Sequence, residues 1–471
     1  MQESETTFDL VVIGSGPAGE RAAVMAAWFG HRVALVERSR ELGGAAAHRG
    51  TLSSKTLREA ALTFSGLRQR GVHGVHLTLS KEIGVRDLLH RERQVRAWEV
   101  ERIGDNLARH GVRLIEGTGR LADPHTVVVE REEGPMRLCA RFILVATGSH
   151  PNRPAAFPFH LAHVYDSDEI LELESIPTSL AVVGGGVIGA EYACIFAALG
   201  VPVTLIEPRQ PLLGFLDAEI RAHLLEGMRA LGIQFRHAGV QRVQSTPQDV
   251  KLSLDDGGEV TTGAVLVANG RSATTAGLGL EALGIPVGPR GHVVVDAHQR
   301  TCVPSVYAAG DVVGFPALAS TAMEQGRIAV AHAFGVGGKE RLAPVLPFAI
   351  YTLPEASMAG ETEEALVKQG VPHVVGRCAF PQTARGRIVG EQGMLKLLFH
   401  AHSRVLLGVH VVGEGAGDLV HQGMLALLME ARLGLFIDAC FNYPTLSEAY
   451  TIAAYDALKQ LEPTGSAARL R

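Results

Sequence analysis

The chain has 471 residues, too many for one compact core and enough for three or four domains. It is 46% hydrophobic and 5% aromatic, with 54 glycines and a net charge of −5 that is spread without long basic or acidic runs. That balance fits an α/β protein with many tight turns and gives no support to nucleic-acid or membrane-surface binding. The five cysteines, Cys139, Cys194, Cys302, Cys378 and Cys440, are odd in number and widely separated, with no CxxC pair. Structural zinc and a disulfide framework are therefore disfavoured, no metal site is expected, and free thiols point to a reducing, cytoplasmic compartment.

The N-terminal MQESETTFDLVVIG is acidic and enters a strand directly, without the layout of a signal peptide. Phe8–Ile13 is a short apolar run of the kind that forms a buried parallel strand. The loop Gly14-Ser15-Gly16-Pro17-Ala18-Gly19 follows, then a helical stretch to about Phe29 that stops at Gly30. Val33–Val36 is the next strand and ends at Glu37, beside Arg38. The segment LGGAAAHRGTLSSKTLRE, Leu42 to Glu59, then opens a helix. Thr126–Glu130 alternates as a strand does, and this first unit closes on FILVATG with Ala146-Thr147-Gly148.

A second copy begins at Leu180–Val183, with the loop Gly184-Gly185-Gly186-Val187-Ile188-Gly189. Its helix stops at Gly200, and Val203–Ile206 leads to Glu207 and, past Pro208, to Arg209. Leu180 to Ile206 is the most apolar stretch, but it is Gly-rich and broken by Glu191, so it reads as strand–turn–helix–strand and not as a membrane span. Val250–Leu254 and the turn Asp255-Asp256-Gly257-Gly258 predict a hairpin, and the unit closes on AVLVANGR with Asn269-Gly270-Arg271. Gly14, Gly16, Gly19 and Glu37 map onto Gly184, Gly186, Gly189 and Glu207 with one constant offset.

One GxGxxG is weak, but two copies, each between a strand and a helix with a strand-end acid, specify two dinucleotide sites. The first glycine permits the turn, the second lets pyrophosphate approach the backbone, and the third packs helix on strand. The helix N-terminus offers free N–H groups to the phosphates. Ser305–Asp311 (SVYAAGD) and a helical Ser320–Phe334 form a third nucleotide-related stretch. After Pro344 strand-like Met394–Phe399 and Val405–Val412 alternate with a helical Gly417–Leu433, a separate α+β pattern.

Taken together, the two loops, ATG, SVYAAGD and the C-terminal YPTLSE resemble the pyridine nucleotide–disulfide oxidoreductases over nearly the whole chain. The resemblance implies an α/β, glutathione-reductase-like fold with two Rossmann-like domains and a C-terminal α+β dimerisation domain. The implied parts are an FAD-binding domain over 1–149 and 273–343, an NAD(P)-binding domain over 150–272 and a dimerisation domain over 344–471. FAD is expected on the first loop and NAD or NADP on the second, in a homodimer or higher homo-oligomer whose C-terminal tail reaches the partner's flavin.

Two departures narrow the chemistry. The family's redox cysteines are replaced by Ala46 and Thr51, whereas Gly43, Gly44, Gly50, Ser54 and Lys55 fit its pattern. Its C-terminal HPT-x-x-E stands here as Tyr443-Pro444-Thr445-Leu446-Ser447-Glu448. His48–Thr51 (HRGT), Leu212–Asp217 (LLGFLD) and Phe441–Thr445 (FNYPT) are most similar to the soluble pyridine nucleotide transhydrogenase branch. By that resemblance Lys55 lies beside flavin N5 and pairs with Glu191, Asp311 binds the ribityl chain, and Gly310, Leu318 and Ala319 line the flavin. Val187 stands where the family often carries a bulkier gate over nicotinamide.

Other roles follow from chemistry. Glu37 is an acceptor for the FAD ribose. Glu207 favours the 2′-OH of NAD and Arg209 the 2′-phosphate of NADP, so the two oppose each other. His48 is the titratable group between the missing cysteines, suited to a structural hydrogen bond. Tyr443 is too weak a base near neutral pH to replace the family His and reads as a lid, with Glu448 orienting its neighbours. With no dithiol to take electrons, the expected activity is ping-pong hydride transfer between NADPH and NAD⁺ through FAD. The alternatives are an NAD(P)H oxidase or diaphorase, and a nucleotide-binding sensor.

Overall fold

The first apolar run becomes the middle strand of a parallel sheet because both of its faces are covered, one by helices and the other by strands and loops that include Leu121, Val127, Leu278 and Val293. In the computed structural model, which describes residues 6–66 and 84–461, Thr6–Ile13 lies between Val33–Glu37 and Met136–Val145. Arg113–Glu116 continues the sheet on one side and Val306–Ala308 on the other, all parallel. Residues 10–13, 33–36 and 143–145 are buried, which accounts for their unbroken apolar character. The early part of Met136–Val145 also pairs antiparallel with Thr126–Glu130, which pairs in turn with Thr118–Asp123. The first five residues of the acidic N-terminal stretch lie outside the described residues.

The repeat seen in the sequence is a repeat of structure. Leu180–Val183 is the middle of a second five-stranded parallel sheet, flanked by Val203–Ile206 and Ala264–Val267, with Gln234–Arg236 and Val164–Asp166 at its edges. The helices Pro17–Trp28 and Val187–Ala198 follow the two Gly-rich loops. The expected hairpin joins Val250–Leu254 to Glu259–Thr262, and Val240–Ser245 adds a third strand. The chain crosses from one sheet to the other twice. Its two crossings, Ser149–Pro151 and Arg271–Ala273, pair antiparallel as a short ribbon.

The C-terminal part is a five-stranded antiparallel sheet in the order Phe348–Ile350, Ala356–Gly360, Leu406–Val412, Met394–His400, His373–Ala379. Helices Ala416–Leu428 and Glu448–Leu461 pack on it. The helix expected to reach Leu433 ends at Leu428 instead. Glu430 turns to φ +49, and the carbonyl of Ala431 accepts the Leu406 N–H at 2.9 Å, so the sheet draws this stretch out of the helix. No helix among the described residues is long and apolar enough to cross a membrane.

Candidate active site

A cleft of about 1290 Å³ runs between the two parallel sheets and the C-terminal part. Both Gly-rich loops open onto it. Gly14 and Gly184 have φ +108 and +109, and a Cβ on them would lie 2.3 Å from the Ala146 carbonyl oxygen and 2.5 Å from that of Ala268. A Cβ on Gly19 or Gly189 would stand 1.9 Å from the carbonyl of Gly14 or Gly184. A Cβ on Gly16 or Gly186 would meet nothing within 4 Å. Thus in each loop the first and third glycines are fixed by protein packing. The second faces open cleft at a helix N-terminus, a cradle that fits the pyrophosphate of a dinucleotide.

The two strand-end acids are held differently. Glu37 accepts hydrogen bonds from the Ser15 N–H (2.8 Å) and hydroxyl (2.7 Å) and from the Ser39 N–H (2.9 Å). Ser15 Oγ in turn accepts the Gly43 N–H at 2.9 Å, which joins the loop to the Leu42–Glu59 segment. Glu207 accepts from the Gly185 N–H (2.8 Å) and Arg209 N–H (3.0 Å), and the Arg209 guanidinium closes on both its oxygens at 2.8 and 3.1 Å. Burial pushes the Glu207 carboxyl up, and the bonds from Arg209 and Gly185 more than reverse this, leaving it below the ordinary carboxylate value. The Arg209 side chain is 80% exposed and lines the cleft, whereas Glu207 is buried behind it. The two expected opponents are therefore one ion pair.

The segment with the missing cysteines forms two helices, Gly44–His48 and Thr51–Phe64, broken at Gly50. Ala46 and Thr51 both line the cleft, and no cysteine does so among the described residues. Lys55 Nζ lies 2.6 Å from Glu191 Oε2, while Glu191 Oε1 accepts the Tyr351 N–H at 2.8 Å. The ammonium also sits 5.0 Å from the centroid of the Tyr351 ring. Glu191 is buried, and these two contacts supply the pairing that a buried carboxylate needs. His48 Nε2 is 2.7 Å from the Leu42 carbonyl oxygen and therefore donates to it, with Nδ1 3.3 Å from Glu41. The ring ties down the segment it belongs to.

The remaining expected residues divide into two groups. Pro17, Ala18, Arg38, Gly44, Ala146, Thr147 and Gly148 line the cleft, as do Val187, Ile188, Asn269, Gly270, Arg271, Gly310, Asp311, Leu318 and Ala319. Gly310 takes φ +84 and its N–H donates to the buried Gln325 Oε1, so Asp311 opens a short 3₁₀ turn and does not cap the helix Ala319–Phe334. Gly43 lies behind the cleft wall. Tyr443 and Glu448 do not reach the cleft of their own chain. Tyr443 is 73% exposed, and Glu448 opens the last helix with its carboxylate 3.4 Å from the Ala384 N–H.

Sequence reasoning passed over several groups that the fold brings in. Ser15 links the first acid to the Lys55 segment. Ser149 Oγ donates to Asp311 Oδ2 at 2.8 Å. Asp168 receives Arg271 at 3.0 Å and Arg49 at 3.5 Å. Tyr192, next to Glu191, borders the cleft with a buried hydroxyl that has no partner among the described residues, and burial, with the nearby Glu191 charge, pushes its acidity far down. The only sequence signal for Ser15 and Ser149 was their place inside or beside a motif.

The profile of the pyridine nucleotide-disulphide oxidoreductases matches residues 8–326, and that of the family's dimerisation domain matches residues 346–454. A protein from Mycobacterium bovis named soluble pyridine nucleotide transhydrogenase is 42% identical over 458 residues, covering 96% of this chain and 98% of the relative. One of the same name from Pseudomonas putida is also 42% identical, with 96% and 99% covered. Among solved structures, LpdA from Mycobacterium tuberculosis superposes with a TM-score of 0.88 at 28% identity, over 96% of this chain and 99% of that one. The HOCl-induced flavoprotein disulfide reductase RclA from Escherichia coli gives 0.86 at 26% identity, over 96% and 99%.

Proposed function

The chain belongs to the pyridine nucleotide-disulphide oxidoreductase family, and we propose that it is a flavin-dependent transhydrogenase moving hydride between NADPH and NAD⁺ by a ping-pong sequence without a redox disulfide. It is an oxidoreductase that uses FAD and NAD(P). The observation that carries the finer reading is that Ala46 and Thr51 line the cleft where a dithiol would be needed, while the Lys55–Glu191 pair beside them is intact. FAD held in this cleft would supply the hydride chemistry that links the two nicotinamides.

The chain's own part is to bind, orient and set charge. The Gly16 and Gly186 cradles hold the two pyrophosphates. Glu37 takes the FAD ribose, and Asp311, steadied by Ser149, takes the ribityl chain. Lys55 would hold a positive charge beside the flavin, kept in place by a carboxylate that the Tyr351 N–H fixes in turn. Val187 leaves room for one nicotinamide to replace another. Arg209 turns between Glu207 and a 2′-phosphate, which lets one site accept both nucleotides. Tyr443 and Glu448 act on the second copy of a homodimer, consistent with the dimerisation domain and with their distance from their own cleft.

The same reading divides the chain at 149/150, 272/273 and 343/344. The first two divisions fall within the Ser149–Pro151 and Arg271–Ala273 ribbon, where the chain passes between sheets. It also assigns the protein to the cytoplasm, where five unpaired cysteines are expected to stay reduced.

The test is anaerobic. NADPH should bleach the flavin absorbance, and NAD⁺ added after removal of NADP⁺ should restore it at a rate compatible with turnover. Absorbance that returns only with oxygen or a quinone would replace this reading with a diaphorase. Lipoamide and glutathione disulfide should support no turnover above the oxygen background.

A further inference from the structure

We propose that Arg271, at the exit of the nucleotide-binding unit, is a positioning residue for the flavin: it orients Asp311 through Ser149. The proposal rests on the reading of the first unit as the FAD site. The guanidinium is largely committed to protein. Nε donates to Ser149 Oγ (2.9 Å), Nη2 to the Ser149 carbonyl (2.9 Å), and Nη1 to Asp168 Oδ1 (3.0 Å) and Ser167 Oγ (3.3 Å). Only 18% of its side chain is exposed. Four of its five N–H donors are thus used within the chain, which leaves little for a nucleotide phosphate.

The direction of each bond is fixed by chemistry. A guanidinium can only donate, so Ser149 Oγ accepts from it and must send its own hydrogen elsewhere. The recipient is Asp311 Oδ2 at 2.8 Å. One carboxylate oxygen is thereby occupied by Ser149, on a residue that itself lines the cleft. A hydroxyl that accepts from a cation becomes a stronger donor, so the chain guanidinium–hydroxyl–carboxylate strengthens as a unit.

Its members come from different parts of the fold. Asp311 follows the last strand of the first sheet, Ser149 and Arg271 stand on the two crossings that pair as a ribbon, and Asp168 follows an edge strand of the second sheet. Asp168 also receives Arg49, from between the two missing-cysteine positions, at 3.5 Å. The relay thus ties the crossing between the two sheets to the carboxylate that would hold the ribityl chain. The flavin would then sense the geometry of the nucleotide unit without touching it.

The experiment follows FAD release from the holoenzyme after dilution, read as the rise in free-flavin fluorescence, together with KM and kcat for NADPH. Arg271→Met and Ser149→Ala should each speed release at least about tenfold, in line with the loss of one charge-assisted bond. The double variant should release no faster than the worse single one, because both break the same chain. Ser149→Thr, which keeps the hydroxyl, should restore slow release. KM for NADPH should move less than the release rate in every variant. If Arg271→Met instead raises KM about tenfold with native FAD release, Arg271 is a nucleotide ligand and the proposal is overturned. Additive singles, or Ser149→Ala releasing at the native rate, overturn it too, and the Ser149→Ala measurement decides the matter even if Arg271→Met misfolds. A native protein that never takes up FAD overturns the flavin reading itself, and the positioning role with it.

Discussion

In the first dinucleotide loop the residue after the opening glycine is Ser15, whose hydroxyl binds Glu37 on one side and the Gly43 N–H on the other. In the second loop the matching residue is Gly185, and a Cβ there would lie 2.0 Å from Leu212, which fills that space. Glu207 therefore has no hydroxyl to lean on, and an exposed arginine closes over it instead. The backbones are otherwise the same, down to a φ of +108 at Gly14 and +109 at Gly184. Where the acid is tied into the body of the protein, the loop suits a resident cofactor. Where it is covered by a side chain that can swing away, the loop suits a ligand that comes and goes.

The largest effects should come from breaking each loop at its first glycine. Alanine at either position would drive a Cβ into a backbone carbonyl and strain a positive φ. Gly14→Ala should give a protein that purifies without flavin. Gly184→Ala should remain yellow yet lose bleaching by NADPH at all accessible concentrations. A Gly184→Ala variant that loses its flavin as well would show that the two units do not act separately.

Next in size is the contact that joins the units, since Lys55 belongs to the first and Glu191 to the second. Lys55→Met should slow anaerobic flavin bleaching in a stopped-flow experiment by about 10–100-fold, the equivalent of about 1.5–3 kcal/mol for a charged hydrogen-bonding partner. Nucleotide affinity should change far less, because Lys55 lies outside the second loop. Native bleaching rates would reduce Lys55 to a packing residue.

A smaller effect should sharpen the contrast between the two acids. Glu207→Ala frees Arg209 and should shift the ratio of kcat/KM toward NADPH, whereas Arg209→Ala should shift it toward NADH, each by at most about 1.5–3 kcal/mol. Ratios that stay fixed in both variants would mean that some other loop reads the ribose.

The smallest effect is on stability. The folded Glu207 carboxyl lies below its ordinary 4.5. A carboxyl lowered by folding stabilises the protein above its unfolded pKa and loses that contribution as pH falls through the folded value. The Tm difference between the native protein and Arg209→Ala should thus be greatest above pH 4.5 and fade below it. Because Arg209 is exposed, water screens the pair to less than about 1 kcal/mol. A difference that grew toward acid pH would assign the stabilisation to another group.

Both loops were legible in the sequence because their spacing encodes local sterics: a glycine is needed wherever a backbone carbonyl crowds its would-be Cβ, as at Gly14 and Gly184. The hairpin at Asp255–Gly258 was legible for the same local reason. Lys55 and Glu191 could be joined only through resemblance, since 136 positions separate them and no periodicity connects them. The Glu207–Arg209 pairing was missed because two residues two apart on an extended chain carry no pattern that announces a contact, and only the fold shows the arginine turned back over the acid. Asp168 and Ser149 carried no motif of their own, and the end of the helix at Leu428 was set by a strand some twenty residues upstream. Tyr443 lay in a recognisable motif, yet its exposure is a property of the folded surface that no local pattern reports.

The position of Val306–Ala308 has a consequence for the order in which the protein is made. This strand completes the first sheet by pairing with residues 143–145, across the whole of the second sheet. On the ribosome, the strands between 164 and 267 are all available before residue 306 has been synthesised, while the first sheet still lacks one edge. The second unit is therefore expected to fold earlier than the unit that begins the chain, reversing the usual N-to-C order. Nascent chains stalled soon after residue 300 should resist protease across 164–267 and remain cleavable across 6–145.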